Sequence, residues 1–247
     1  MEKSINTNQK ILIGTIVKNC GQWIRNLFIN VAQVNYPKEN ISIAILENDS
    51  DDNSWKILKQ ETEPLLKSLG YRKVTIEKID FGFNLKHSSR HIPTIQKERA
   101  NCITRARQHI INKHLADNDY IWWVDADLER IPPDTLKILL MCKCDSVSPV
   151  YRTKDGKLYD GSSHRKGKML KELLDRKEGE DLIEIDGTNC QALMHRRVFD
   201  AGADFWVDGE VNSNYTQSQR MKRMGIKFYI MTKVTVLHHT ICGTKPL

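Results

Sequence analysis

The stretch Tyr120-Ile-Trp-Trp-Val-Asp125-Ala-Asp127-Leu128 limits this chain more than any other. An apolar run that closes abruptly on two carboxylates reads as a buried strand whose C-terminal end reaches a solvent-facing edge, where open α/β sheets place their ligands. In an extended backbone, side chains two apart share a face. Asp125 and Asp127 are therefore expected to point the same way and to reach one hard divalent cation, directly or through water. A plain acidic turn gives the same spelling. Pro132-Pro133 then stops the extended segment and opens a helix with a proline-compatible first turn.

The rest of the first half alternates strand and helix. Ile11–Val17 and Ile41–Leu46 are continuous β-branched and apolar runs, and Val74–Ile79 is a third strand. Trp23–Gln33 and Trp55–Leu69 lie between them as helices, so a parallel sheet with helices on its faces is expected. Ile95–His114 reads as a long basic helix and Ser146–Val150 as a further strand. Residues 152–180, dense in Gly, Lys and Asp, form the expected mobile insert. Beyond it come a strand at Gln191–His195, helices at Arg196–Ala201 and Gln217–Met224, and two closing strands, Lys227–Met231 and Val234–His239.

With 247 residues, 40% hydrophobic and 28% charged, the chain suits one domain, 1–247. Two halves are expected within it, 1–150 and 151–247. No apolar run approaches membrane-spanning length and the first ten residues are polar, so a soluble, cytoplasmic chain without a membrane span is expected, unless an anchor has been removed. The net charge of +7 suits an anionic substrate, nucleic acid or an acidic membrane surface. Six scattered cysteines argue against a disulfide framework and for reduced thiols.

Several pieces stand in a fixed order along the chain: Arg90-His91, Arg99, Arg105-Ala-Arg107, Trp123-Val-Asp-Ala-Asp-Leu and the prolines after it, and Ser148-Pro-Val. Glu184-Ile-Asp-Gly, Val198-Phe with Gly202, Lys222-Arg-Met and Leu237-His238 continue the set. Together they resemble a nucleotide-sugar glycosyltransferase of the GT-A fold, with the fungal Golgi mannan-polymerase mannosyltransferases as the family that is most similar. The resemblance makes 1–150 the expected nucleotide-binding half and 151–247 the expected donor-sugar and acceptor half. The resemblance implies an α/β, Rossmann-like fold with a mixed, mostly parallel central sheet and helices on both faces. It also implies a hexosyltransferase, mannose first, acting from a nucleotide-sugar donor on a carbohydrate or glycoconjugate acceptor.

The leaving diphosphate of such a transfer accumulates charge, which a divalent cation stabilises as a Lewis acid. The resemblance implies Asp127 as direct ligand, Asp125 on the ribose or a metal-bound water, and His238 as third ligand; a polar strand end is the other reading of His238. Imidazole in the shell tilts the ion from Mg²⁺ to Mn²⁺. Glu47 or Asp49, after the second strand, is assigned to nucleotide recognition beside Thr15 of the first, while Asp51, Asp52 and Ser54 suit a helix N-cap. Arg99 and Arg105 are the choices for the pyrophosphate. Asp186 is assigned to the donor sugar. Asp208 and Glu210 stand where inverting GT-A enzymes carry the catalytic base, whereas the mannosyl family favours retention. Trp206 and Tyr215 offer apolar faces to a sugar ring.

Two other classes fit less well. A nucleotidyltransferase needs a Gly-rich basic loop after the first strand, where this chain has Lys18-Asn-Cys-Gly21, and a nucleic-acid binder needs a reader motif, which is not evident.

Overall fold

The computed structural model describes residues 7–83, 92–159, 164–165, 168–169, 171–172, 174, 179–187, 192–205 and 213–239. Strand β1 (Ile11–Val17) leads to helix α1 (Gly21–Ala32), then β2 (Ile41–Glu47). Helix α2 (Ser54–Ile57) continues through a π-helical turn (Leu58–Thr62) into α3 (Glu63–Ser68), followed by β3 (Lys73–Lys78) and the long α4 (Pro93–His114). Next come β4 (Tyr120–Trp123), β5 (Leu128–Arg130), α5 (Thr135–Met141) and β6 (Ser146–Thr153). A small ribbon, β7 (His164–Arg165) with β8 (Lys168–Met169), precedes β9 (Leu182–Ile185), β10 (Leu193–His195), α6 (Arg197–Asp200), α7 (Ser213–Arg223) and β11 (Phe228–His238).

The main sheet runs β3-β2-β1-β4-β10-β6-β11-β5, with β9 also paired to β11. The pairings β1–β2, β2–β3, β1–β4 and β6–β11 are parallel, so β10, β5 and β9 run against the other six strands. The mixed, mostly parallel sheet matches the expected architecture.

Alternation along the strands divides the core between two faces. Ile11, Ile13 and Trp122 pack with residues of α1, α3 and α5, whereas Leu12 and Trp123 pack with residues of α4, α6 and α7. Both tryptophans are almost fully buried. Gly14 lies opposite Trp123 in the parallel pair, and a Cβ there would sit 2.8 Å from the indole ring, so only glycine lets β1 accept Trp123.

The two expected closing strands are one. β11 passes through the Thr232-Lys233 interruption as an irregularity, its register on β6 shifting between Met231 and Thr235. β5 was not anticipated from sequence; three residues pairing with the end of β11 are too short to show a period. No described helix is long and apolar enough to cross a membrane. Cys20, Cys102, Cys142 and Cys144 are free thiols, while Cys190 and Cys242 lie outside the described residues.

Candidate functional site

β4 stops at Trp123, after which Val124 N–H donates to the carbonyl of Gly14 and the chain turns at Ala126-Asp127 into β5. The expected extended backbone through Asp125 and Asp127 is thus replaced by a tight turn. The reason is β5: to pair antiparallel with β11, the chain must reverse at once. The turn still gathers ligands. Atoms of Asp125, Asp127 and His238 all lie within 4.8 Å of one another. The backbone fastens this corner, since His239 N–H donates to the Asp127 carbonyl at 3.1 Å and Leu128 pairs with His238.

His238 is 1% exposed. Its Nδ1 lies 2.6 Å from the His239 carbonyl, which can only accept, so Nδ1 carries the proton. The neutral ring therefore turns an Nε2 lone pair toward Oδ1 of Asp127, 3.2 Å away. Two acceptors at that range need a proton or a cation between them. Cis ligands of a hard octahedral ion at 2.0–2.1 Å stand about 3 Å apart, so the spacing fits a shared ion. In its absence, burial pulls the His238 pKa down, but Asp127 and Asp125 outweigh it and hold the pKa above its ordinary value. The Tyr159 ring stacks flat on His238 at 3.5 Å, and Trp23 stacks on His239 at 3.6 Å.

Behind Asp125 stands Arg107, a residue the sequence reading passed over. It is 4% exposed, with its guanidinium 5.4 Å from the ring centres of both Trp123 and Phe205 and 3.9 Å from Asp125 Oδ1. The signal was present in the helix: Ala100, Thr104, Arg107 and Ile111 form one buried stripe at spacings of four, three and four. An arginine on that stripe is a charge carried inward. Arg105 instead is exposed, its guanidinium over the Phe81 ring at 4.4 Å, and Arg99 is half-buried on the same helix.

The acidic loop after β2 is organised differently. Glu47 is fully buried, with Oε1 accepting from Ser50 N–H and Lys78 Nζ 3.6 Å from Oε2, so it offers no surface to a ligand. Asp49 adopts φ +50°, tolerable for aspartate, and its Oδ1 accepts from Gly82 N–H at 2.8 Å and Phe83 N–H at 3.3 Å. Burial raises its pKa, but hydrogen bonds from Asn48 and the following loop, with Lys18 nearby, hold it below the ordinary carboxylate value. Lys18 in turn donates to the carbonyls of Asp49 and Phe83. Asp52 accepts from Ser54 N–H and Gly21 N–H, while Ser54 Oγ accepts from Cys20 N–H, so this loop ties together the starts of α1 and α2. Asp51 is exposed and its N–H donates to Asn19. Thr15 is fully enclosed in β1.

Asp186 is paired with Lys222 of α7, and Gly187 lies against Ser218, where a Cβ would come within 2.6 Å. Asp208, Glu210, Trp206, Arg90 and His91 lie outside the described residues, as does the side chain of Tyr215.

Comparison with known proteins places this geometry in a family. The Mannan polymerase II complex anp1 subunit of Schizosaccharomyces pombe is 29% identical over 192 residues, 72% of this chain and 44% of its own length. The Mannan polymerase II complex ANP1 subunit of Saccharomyces cerevisiae is 25% identical over 191 residues, 72% of this chain and 38% of its own length. The chain thus spans less than half of each relative. Among solved structures, the mannosyltransferase PcManGT of Pyrobaculum calidifontis in complex with GDP-Man and Mn²⁺ superposes with a TM-score of 0.60 at 14% identity, over 96% of this chain and 59% of its own. Staphylococcus aureus TarS in complex with UDP-GlcNAc gives 0.59 at 10% identity, over 96% and 60%. GalNAc-T7 with UDP, GalNAc and Mn²⁺ gives 0.58 at 13% identity, over 95% and 44%. The fold is that of the GT-A glycosyltransferases. The Anp1 family profile matches residues 1–204, well over half of the sequence, and the chain belongs to the Anp1 family.

Proposed function

We propose that this chain is a single metal-dependent glycosyltransferase domain that moves mannose from GDP-mannose to a hydroxyl of a carbohydrate or glycoconjugate acceptor. The observation that carries the reading is the convergence of Asp125, Asp127 and His238 on one point at the end of β4. The GDP-Man and Mn²⁺ held by a protein of like fold, and the mannan polymerase subunits among the relatives, support the choice of donor and ion.

In this reading Asp127 and His238 hold Mn²⁺, or Mg²⁺, with Asp125 reaching the ribose or a metal-bound water. The ion supplies Lewis-acid stabilisation of the leaving diphosphate. His238 serves through Nε2 because Nδ1–H is fixed on the His239 carbonyl, so its ring cannot turn away. Arg107 sets its guanidinium 3.9 Å from Asp125 and, with Trp123 and Phe205, closes the site from below. Arg99 and Arg105 are the guanidiniums assigned to the pyrophosphate, Asp49 to nucleotide recognition, and Asp186 to the donor sugar. Asp208 or Glu210 takes the proton of the acceptor hydroxyl if the reaction inverts. Residues 1–150 form the nucleotide half and 151–247 the donor-sugar and acceptor half. The relatives named as complex subunits also motivate assembly of this domain with other glycosyltransferase chains.

The test is calorimetric titration of GDP, UDP, GDP-mannose and UDP-glucose, each with and without Mn²⁺. Manganese-dependent binding of GDP-mannose is expected. Binding of none of the four in either condition overturns the proposal, and manganese-dependent binding of the uridine pair alone overturns the donor assignment.

A further inference from the structure

A second group of metal-type ligands lies on residues the proposed reaction does not use. Glu77 is on β3, a strand at the end of the main sheet, and faces α4, which carries His109 and His114. His109 Nε2 is 2.6 Å from Glu77 Oε2 and His114 Nε2 is 3.4 Å from the same oxygen. One ligand atom from each of the three lies within 4.8 Å of the others. Five residues of helix rotate the two histidines about 140° apart, so they approach the carboxylate from different sides. Their ring centres are 6.2 Å apart with planes tilted by 60°.

We propose that Glu77, His109 and His114 form a second divalent-metal site, of the zinc class, that fastens the C-terminal end of α4 to β3. Two imidazoles and one carboxylate are a donor set zinc accepts, with solvent completing a tetrahedron. The side chains are 30%, 19% and 10% exposed, which leaves a path for ion and water. Ligands 2.0–2.1 Å from a tetrahedral ion stand about 3.3 Å apart, so His114 is already at working distance from Glu77 and His109 must withdraw by about 0.7 Å. The His114 Nδ1 is buried with no hydrogen-bond partner among the described residues. Ligation through Nε2 places an N–H there, so affinity is expected to be about 10- to 100-fold weaker than at a site with supported imidazoles.

The test counts zinc on chelator-stripped protein without nucleotide, so it stands apart from the glycosyltransferase reading. An Asp127→Asn, His238→Asn variant silences the first site. It is expected to retain one equivalent of Zn²⁺ by equilibrium dialysis and mass spectrometry, and with Co²⁺ to show the visible bands of a tetrahedral nitrogen and oxygen shell. Adding His109→Asn, or the size-preserving Glu77→Gln where the histidine change loses the circular dichroism of the fold, is expected to remove that equivalent and the bands. No bound zinc before these additions, or undiminished zinc after them, overturns the proposal.

Discussion

Two acidic corners flank β1 and are finished in opposite ways. At the end of β2, Glu47 and Asp49 use their oxygens on their own surroundings, accepting N–H groups of Ser50, Gly82 and Phe83. At the end of β4, Asp127 meets a buried imidazole whose facing nitrogen is itself an acceptor, with Asp125 in reach of both. In the first corner the carboxylates accept from the backbone and face Lys78 and Lys18, and they stabilise the loop that binds them. In the second the only partner close to the Asp127 carboxylate among the described residues is an imidazole, and the proposed function has its carboxylates meet an ion that comes from outside. What separates a structural carboxylate from a ligand-binding one is the supply of donors nearby, since residue type and strand-end position are the same in both.

The sharpest way to break this comparison is Asp127→Ala. Transfer is expected to fall by at least about 10²- to 10³-fold, the cost of losing a central electrostatic contact in a transition state. Thermal stability of the metal-free protein should change little, because no backbone N–H among the described residues depends on that carboxylate. A large loss of melting temperature with activity retained would reverse the roles given to the two corners. Gly14→Ala probes the strand between them: with a Cβ 2.8 Å from the Trp123 ring, a loss of about 1–3 kcal/mol is expected in denaturant unfolding. An unchanged midpoint would mean that the indole moves freely.

Asp49→Ala should cost about 1–2 kcal/mol by leaving the Gly82 and Phe83 N–H groups without their acceptor. Its folded pKa is depressed, so its contribution is complete above the ordinary carboxylate range and is lost as pH falls through the folded value. The difference between variant and wild type should therefore begin to close below about pH 4. A gap that widened in acid would contradict the assignment. The smallest effect is expected at the exposed Arg25–Glu61 pair, where removing either partner should leave the unfolding midpoint essentially unchanged because solvent screens the pair.

The parallel half of the sheet was legible because strands buried on both faces are unbroken apolar runs, as Ile11–Val17 and Ile41–Leu46 are. Later strands were harder to read. β5 is only three residues long, and Lys233 makes one bulged strand read as two, whereas the expected strand at Gln191–His195 is present as β10. Asp125, Asp127 and His238 were singled out in sequence, yet the extended geometry used to join the two aspartates was wrong. A turn brings them together, and only the β5–β11 pairing, over a hundred residues apart in the chain, reveals it. Charge alone does not separate Arg107 from Arg99 and Arg105 on the same helix, whereas the stripe it shares with Ala100, Thr104 and Ile111 points inward.

The position of β11 has a consequence for how the molecule is made. This strand lies between β6 and β5 and carries His238 at its end, so the cation corner is assembled from segments synthesised at very different times. Asp125 and Asp127 follow a strand whose own partner, β1, is already far back in the chain, Ile11 pairing with Tyr120, and they then wait for a partner more than a hundred residues ahead. Contacts of that span form late and slowly. An ion that needs all three residues can bind only after the last strand has docked, and by mass action it then holds that strand in place. Under the proposed function, metal affinity at this corner would double as a readout of finished folding, measurable on a nascent chain as the length at which Mn²⁺ binding first appears.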